Sequence, residues 1–213
     1  AGPMSLSTDR GEARTTHVGA SRLHHHMSHP GAQKGKDPAD FVKKFTQTQY
    51  EAERKPRAFS LPKGFDYAAD AADLENTLYL ELKDGRVVIE MRPDLAPKHV
   101  AQIKQLTRKR FYDGLVFHRV IDGFMVQGGD PEGNGTGGSG NKLPAEFSDE
   151  PHVRGTLSMA RSRNPDSADS QFFIMLGHAP HLDGAYSIWG KVVSGMKFVD
   201  NIKKGDKRRN GSV

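Results

Sequence analysis

The chain has 213 residues, no cysteine and a formal net charge of +5, so disulfides and thiolate metal sites are excluded and the length suits one good domain with a remainder. No stretch approaches the roughly 20 apolar residues of a membrane-spanning helix, and no basic-then-apolar leader is visible, so a soluble protein is expected. Residues 76–201 hold 15 Lys plus Arg against 15 Asp plus Glu, and the excess charge sits in the tail KKGDKRR, Lys203 to Arg209. A short basic tail of this kind reads as a solvated terminus rather than a nucleic-acid footprint.

Residues 1–36 are rich in Ser, Thr, Gly and His, with little apolar periodicity. Disorder is expected there. The cluster LHHHMSHP, Leu23 to Pro30, has imidazoles but no nearby carboxylate or thiol partner, so it is read as an adventitious metal binder and not as a specific site. Residues 37–75 are read as a short helix and a linker. Asp37 can cap, Pro38 suits the first helical position, and Phe41, Val42 and Phe45 form a short apolar stripe, read as docking on its own domain or as part of a partly formed helix, with partner binding the less favoured alternative; Pro56, Pro62 and Gly64 break the stretch beyond Lys55.

The globular domain is placed at 76–213. NTLYLELKDGRVVIEMRPD alternates Leu78, Leu80 and Leu82, turns at Asp84-Gly85, then alternates Val87, Ile89 and Met91. That pattern predicts a hairpin. Pro97 opens a helix with Val100, Ile103, Leu106 and Thr107 inward and Arg108, Lys109 and Arg110 at its negative end. Strand-like runs come next at Thr156–Ala160, Gln171–Leu176 and Ser187–Val193, then a helix from Gly195 to Lys204 stopped by Gly205. Many short strands with few helices indicate an all-β sandwich or barrel.

Between these elements, GDPEGNGTGGSGNK contains a G-x-G-x-x-G at Gly133, Gly135 and Gly138. A dinucleotide site requires that pattern to open a helix, whereas Leu143-Pro144 comes after it here, so nucleotide binding is rejected in favour of tight turns with positive backbone angles.

Two stretches carry the chemistry. FHRVIDGFMVQGGD, Phe117 to Asp130, reads as two short strands joined at Asp122-Gly123, with Phe117 and Arg119 sharing one face and Met125 and Gln127 sharing one face of the second strand. GTLSMARSRNPDSADSQFFIMLG, Gly155 to Gly177, places Gln171 and Phe173 on one face and Phe172 in the core. A cationic donor beside an apolar wall suits a mostly apolar substrate with one amide to be bonded. His118, opposite Arg119, is read as a satisfied structural histidine.

Together, in order and colinear from about Asn76 to Gly205, these motifs resemble the signature of the cyclophilin peptidyl-prolyl isomerases, in a form similar to bacterial members. The resemblance implies an eight-stranded antiparallel β-barrel capped by two helices. Only seven strand-like runs are legible, and the family's final strand should come after the second helix, so the last strand is expected to be missing or the barrel open at one edge.

The resemblance also implies rotation of X-Pro bonds in protein folding, without cofactor or metal. Arg119 would donate to the prolyl nitrogen, with Phe124, Met125, Phe173 and Leu182 around the proline. Gln127 would bond the substrate backbone, and Gln171 with the main chain of Ala160 and Arg161 would line the peptide groove. His181, Tyr186 and Arg161 stand where the eukaryotic pattern has tryptophan, histidine and asparagine. Cyclosporin uses that tryptophan, so weak binding of the drug is expected. The implied partners are proline-containing peptides and unfolded proteins, with the protein a cytoplasmic monomer, or a periplasmic one after loss of a leader. The alternatives are a non-catalytic module clasping proline segments and, more remotely, a hydrolase using Ser170, His181 and Asp183, for which no nucleophile-elbow spacing is present.

Overall fold

The computed structural model describes residues 2–8 and 74–213. The expected helix and linker of residues 37–75, apart from Leu74 and Glu75, and the histidine cluster lie outside the described residues. Eight strands form one curled sheet in the order β1-β2-β3-β8-β6-β7-β5-β4. They are β1 (Ser5–Thr8), β2 (Thr77–Leu82), β3 (Gly85–Met91), β4 (Arg119–Ile121), β5 (Met125–Gly128), β6 (Thr156–Met159), β7 (Phe172–Met175) and β8 (Ile188–Ser194), and every pairing is antiparallel.

The eighth strand is present, and it comes from the N-terminal segment expected to be disordered. Ser5–Thr8 pairs with β2, with Leu6 opposite Leu80. Met4 and Leu6 are buried in the core, and burial of two large side chains offsets the entropy of ordering so short a segment. Met4 also bonds ahead of β4, its N–H donating to Leu115 O at 2.9 Å and its carbonyl accepting from Gly114 N at 2.8 Å. The two rims of the curled sheet are thereby brought together.

The cross-strand register separates two faces. Val120, Val126, Ile174 and Leu157 lie in one row across β4, β5, β7 and β6 and all are fully buried in the main core. Arg119, Gln127, Phe173 and Ser158 form the next row. Side chains alternate along each strand, so this second row faces the other way. The main core also holds Trp189, Phe172 and Tyr112, the last two edge to face at 5.7 Å.

Helix α1 (Pro97–Arg108) buries Val100, Ile103, Leu106 and Thr107 as its apolar spacing predicts, and also His99 and Gln102. The cap preceding it, Ala96, has no side-chain acceptor; instead Glu146, far along the chain, accepts from the N–H groups of Lys98 (3.2 Å) and His99 (2.9 Å). A carboxylate there satisfies free donors at the positive end of the dipole.

Helix α2 is shorter than expected, Met196–Asp200, with Gly195 in the left-handed region at φ 84° ahead of it. Gly205 does not stop it, because Gly205 N bonds Val120 O at 2.9 Å and the chain has already turned onto β4. The basic tail is exposed but ordered: Asp206 accepts from Arg208 N, and Lys207–Arg209 makes one 3-10 turn. No helix among the described residues is long and apolar enough to cross a membrane.

Candidate active site

The row Arg119, Gln127 and Phe173 is the framework of a hollow on the sheet's second face. Beside it, Met125, Phe173, Met175, Ala179 and Leu182 form a separate buried apolar cluster, flanked by Ile121, Phe124, Ala160 and Tyr186. A cavity of about 410 Å³ is lined by Arg119, Phe124, Met125, Gln127 and Phe173 from the β4–β5–β7 side and by Ala160, Arg161, His181, Leu182 and Tyr186 opposite. Gln171 lines an adjoining groove of about 460 Å³, which shares Gln127, Ala160 and Arg161 with the hollow. Phe117 does not join Arg119: β4 begins only at Arg119, and Phe117 precedes the strand and packs into the main core.

Arg119 is half-buried and, among the described residues, has no carboxylate within ion-pair distance. Its Nη1 donates to Gln127 Oε1 at 3.2 Å, its Nε to the carbonyl of Asn210 at 3.1 Å and its Nη2 to Asn210 Oδ1 at 3.0 Å. Gln127 Nε2 donates in turn to Gln171 Oε1 (3.1 Å), and Gln171 Nε2 to Gly137 O (2.9 Å). Burial lowers the Arg119 pKa from the ordinary arginine value, yet a guanidinium remains a cation. The result is a fixed positive donor at the rim of an apolar hollow, uncancelled by any anion among the described residues.

The far wall is a 3-10 turn, Pro180–Leu182. His181 stacks on Phe124 with ring centroids 5.7 Å apart, and Tyr186 meets Phe173 edge to face at 5.7 Å. Behind Phe173, His152 stacks at 6.2 Å. Its N–H and Nδ1 both meet Asp183 Oδ1 (2.7 and 3.0 Å), and its Nε2 lies 3.0 Å from Ser158 Oγ. Burial lowers the His152 pKa in spite of Asp183. With the imidazole neutral, Nδ1 carries the proton and donates to Asp183, while the unprotonated Nε2 faces Ser158 Oγ, whose hydroxyl also reaches Ser187 O at 3.1 Å, tying the 3-10 turn to the back of the hollow.

Serine, histidine and aspartate in sequence do not make a hydrolase here. Ser158 and His152 are fully buried, so no substrate carbonyl reaches that hydroxyl. The residues weighed from the sequence are apart: Ser170 Oγ donates to Gly129 O at 2.8 Å, His181 stacks on Phe124, and Asp183 belongs to His152. His118 is buried as expected but not satisfied, since its Nδ1 has no partner among the described residues.

The glycine-rich loop opens no helix. Asp130 accepts from the N–H groups of Glu132 (2.9 Å), Asn134 (3.1 Å) and Gly135, and Asp169 from those of Ser139 (2.8 Å) and Gly140 (3.0 Å). Gly138 leaves no room for a side chain, since a Cβ there would lie 2.6 Å from the Asp169 carboxylate. The loop walls the groove beside Gln171.

Asn210, which bonds Arg119, is not revealed by the sequence, because along the chain it is only the end of a basic tail. The turn that holds it is locked onto β4, with Val120 N bonding Gly211 O at 2.8 Å and Val213 N bonding His118 O at 3.1 Å.

The profile of the family described as "Cyclophilin type peptidyl-prolyl cis-trans isomerase/CLD" matches residues 77–213. A probable peptidyl-prolyl cis-trans isomerase of Brucella suis biovar 1 (strain 1330) is 60% identical over 157 residues, 68% of this chain and 80% of that protein. Peptidyl-prolyl cis-trans isomerase B of Bacillus subtilis (strain 168) is 46% identical over 133 residues, 61% of this chain and 92% of that protein. Among solved structures, a Cryptosporidium parvum cyclophilin type peptidyl-prolyl cis-trans isomerase, crystallised in the presence of the dipeptide Ala-Pro, is similar with a TM-score of 0.57 and 33% identity over 61% of this chain and 86% of that one.

The chain belongs to the cyclophilin-type peptidyl-prolyl cis-trans isomerases. It is an enzyme of that class, accelerating rotation about the X-Pro peptide bond.

Proposed function

We propose that the hollow seats the proline ring of a peptide or unfolded segment and that Arg119 donates to the prolyl nitrogen as the amide twists. Rotation breaks amide resonance, a barrier of roughly 18–20 kcal/mol. At the twisted geometry the nitrogen lone pair is localised and accepts a hydrogen bond that the planar amide does not. A donor placed there stabilises the transition state more than the ground state.

The observation that carries this reading is a guanidinium at the rim of an apolar cavity with no carboxylate beside it among the described residues and with its approach fixed by Gln127 and Asn210. Phe124, Met125, Phe173 and Leu182 would hold the ring and exclude water, with His181 and Tyr186 closing the far wall. Gln127 would bond the substrate backbone, and the main chain of Ala160 and Arg161, with Gln171, would carry the peptide onward. The Ala-Pro dipeptide present with the Cryptosporidium relative supports a proline ligand.

A hydrogen bond from a charged group contributes about 1.5–3 kcal/mol, and about 1.4 kcal/mol is tenfold in rate. Replacing Arg119 by Ala is expected to lower kcat/KM on a short X-Pro peptide by about 10- to 100-fold. A coupled isomerisation assay measures this. An Arg119→Ala enzyme with unimpaired turnover would remove Arg119 from the mechanism.

A further inference from the structure

A second guanidinium stands at the boundary between the proline hollow and the adjoining groove. Arg161 lines both cavities. Its Nε and Nη2 donate to Ala185 O at 2.9 and 2.7 Å, and its Nη1 donates to Ser162 O at 3.0 Å. Its charge centre lies 4.6 Å from the centroid of the Tyr186 ring and 5.9 Å from that of Phe147. Two positions that depart from the eukaryotic pattern, Arg161 and Tyr186, are thus one packed unit.

Among the described residues no carboxylate lies within ion-pair distance of Arg161. Carbonyl oxygens orient a guanidinium but leave its charge uncompensated, and each terminal nitrogen keeps an N–H that these bonds do not use. The adjoining groove carries one more cation, the exposed Lys142, and one anion, Asp169. The Asp169 carboxylate is held by the neutral donors Ser139 N, Ser139 Oγ and Gly140 N, which leave its charge in place, so Arg161 and Lys142 outnumber it two to one in the groove lining. The hollow itself is lined by Arg119 and Arg161 and, among the described residues, by no carboxylate. A peptide with its proline in the hollow therefore meets a field that is positive along its exit path.

We propose that Arg161, assisted by Lys142, makes the enzyme selective for X-Pro segments carrying an acidic side chain within a few residues of the proline. Arg161 is the specificity-determining residue. Because its carbonyl bonds and aromatic stacking hold it in place before substrate arrives, it loses little side-chain entropy on pairing with a carboxylate. The inference rests on the proline reading of the hollow.

The test is a set of short peptides in which Glu or Lys replaces Ala, one position at a time, from three residues before to three after the proline, with an all-alanine peptide as reference. At one or more positions the Glu peptide should exceed its Lys counterpart in kcat/KM by about threefold to fivefold at low salt, as for a partly exposed charge pair. That ratio should collapse towards one in about 1 M NaCl, where the screening length is about 3 Å, and in Arg161→Gln. Lys142→Gln, at an exposed position, keeps the test open should Arg161→Gln fail to fold, and should reduce the ratio. The ratio compares two peptides on the same enzyme, so loss of general activity does not mimic the effect. Ratios near one at every position, or a preference unchanged in both variants, would overturn the assignment. No acceleration of the all-alanine peptide would instead sink the reading of the hollow itself.

Discussion

Asn210 holds Arg119 from behind with two acceptors, its main-chain carbonyl at 3.1 Å from Nε and its side-chain oxygen at 3.0 Å from Nη2. Asn210 sits in the left-handed region at φ 54°, which asparagine tolerates and glycine adopts without cost. Asn210→Gly should keep the turn and the backbone acceptor while deleting Oδ1. Kcat is expected to fall by about threefold to tenfold, the loss of one exposed charge-assisted bond, with KM and the melting temperature nearly unchanged. Steady-state kinetics beside a thermal melt separate this from a folding defect. An unchanged kcat would show that Gln127 alone suffices to aim the guanidinium.

Stability should depend on pH through buried histidines. His99, His118 and His152 are each pushed below the ordinary histidine value, burial being the first cause in every case. A base whose pKa is lowered in the fold binds fewer protons folded than unfolded, so its contribution is complete above about pH 6.5 and is lost as pH falls towards the folded values. The carboxylates Asp130 and Glu146 are lowered too. They resist acid until the pH drops below the usual carboxylate range of about 4. Melting temperatures measured from pH 8 to pH 4.5 should hold down to about pH 6.5 and then decline; a flat profile down to pH 5 would contradict the assignment of neutral buried imidazoles.

The N-terminal strand should contribute several kcal/mol to the domain. Leu6 is 3% exposed and faces Leu80 across the β1–β2 pair. Leu6→Ala is expected to cost about 2–5 kcal/mol, as other buried leucine truncations do. Deleting residues 2–8 should be worse, because it also bares the edge of β2 and invites pairing between copies. Denaturant unfolding measures the first effect and light scattering the second.

His181 supplies a smaller, more polar wall than the tryptophan of the eukaryotic pattern, stacked at 5.7 Å on Phe124. Cyclosporin should inhibit only weakly, while turnover of a short X-Pro peptide should persist on the remaining apolar walls. His181→Trp should tighten inhibition by about tenfold or more, an added aromatic face in a partly buried site being worth at least about 1.4 kcal/mol. Nanomolar inhibition of the unaltered enzyme would contradict this view of the wall.

Much of the architecture is legible in the sequence because period-two alternation survives in strands with one buried face. Leu78 and Leu80 against Val87, Ile89 and Met91 announce the β2–β3 hairpin, and all five are buried. Strand β1 is hidden because four residues, SLST, are too few to show a period. Its identity comes from the sheet edge that it completes. Phe117 misleads for a related reason: its alternation with Arg119 runs back past the point where β4 begins.

The residues that aim and brace the site are illegible for a different reason. Asn210 lies 91 positions from Arg119, Asp183 lies 31 from His152, and Glu146 lies 47 from His99. No local spacing rule spans such distances. What the amino-acid order determined by itself was the set of longer strands, their buried faces, the glycine turns and the chemical types available, because these depend on backbone sterics and local periodicity. What only the tertiary structure decided was which polar groups meet: the guanidinium of Arg119 against Asn210, the cation of Arg161 on Tyr186, and the N-terminal strand on the open rim. Those meetings depend on the curl of the sheet, which brings together side chains that the chain itself keeps far apart.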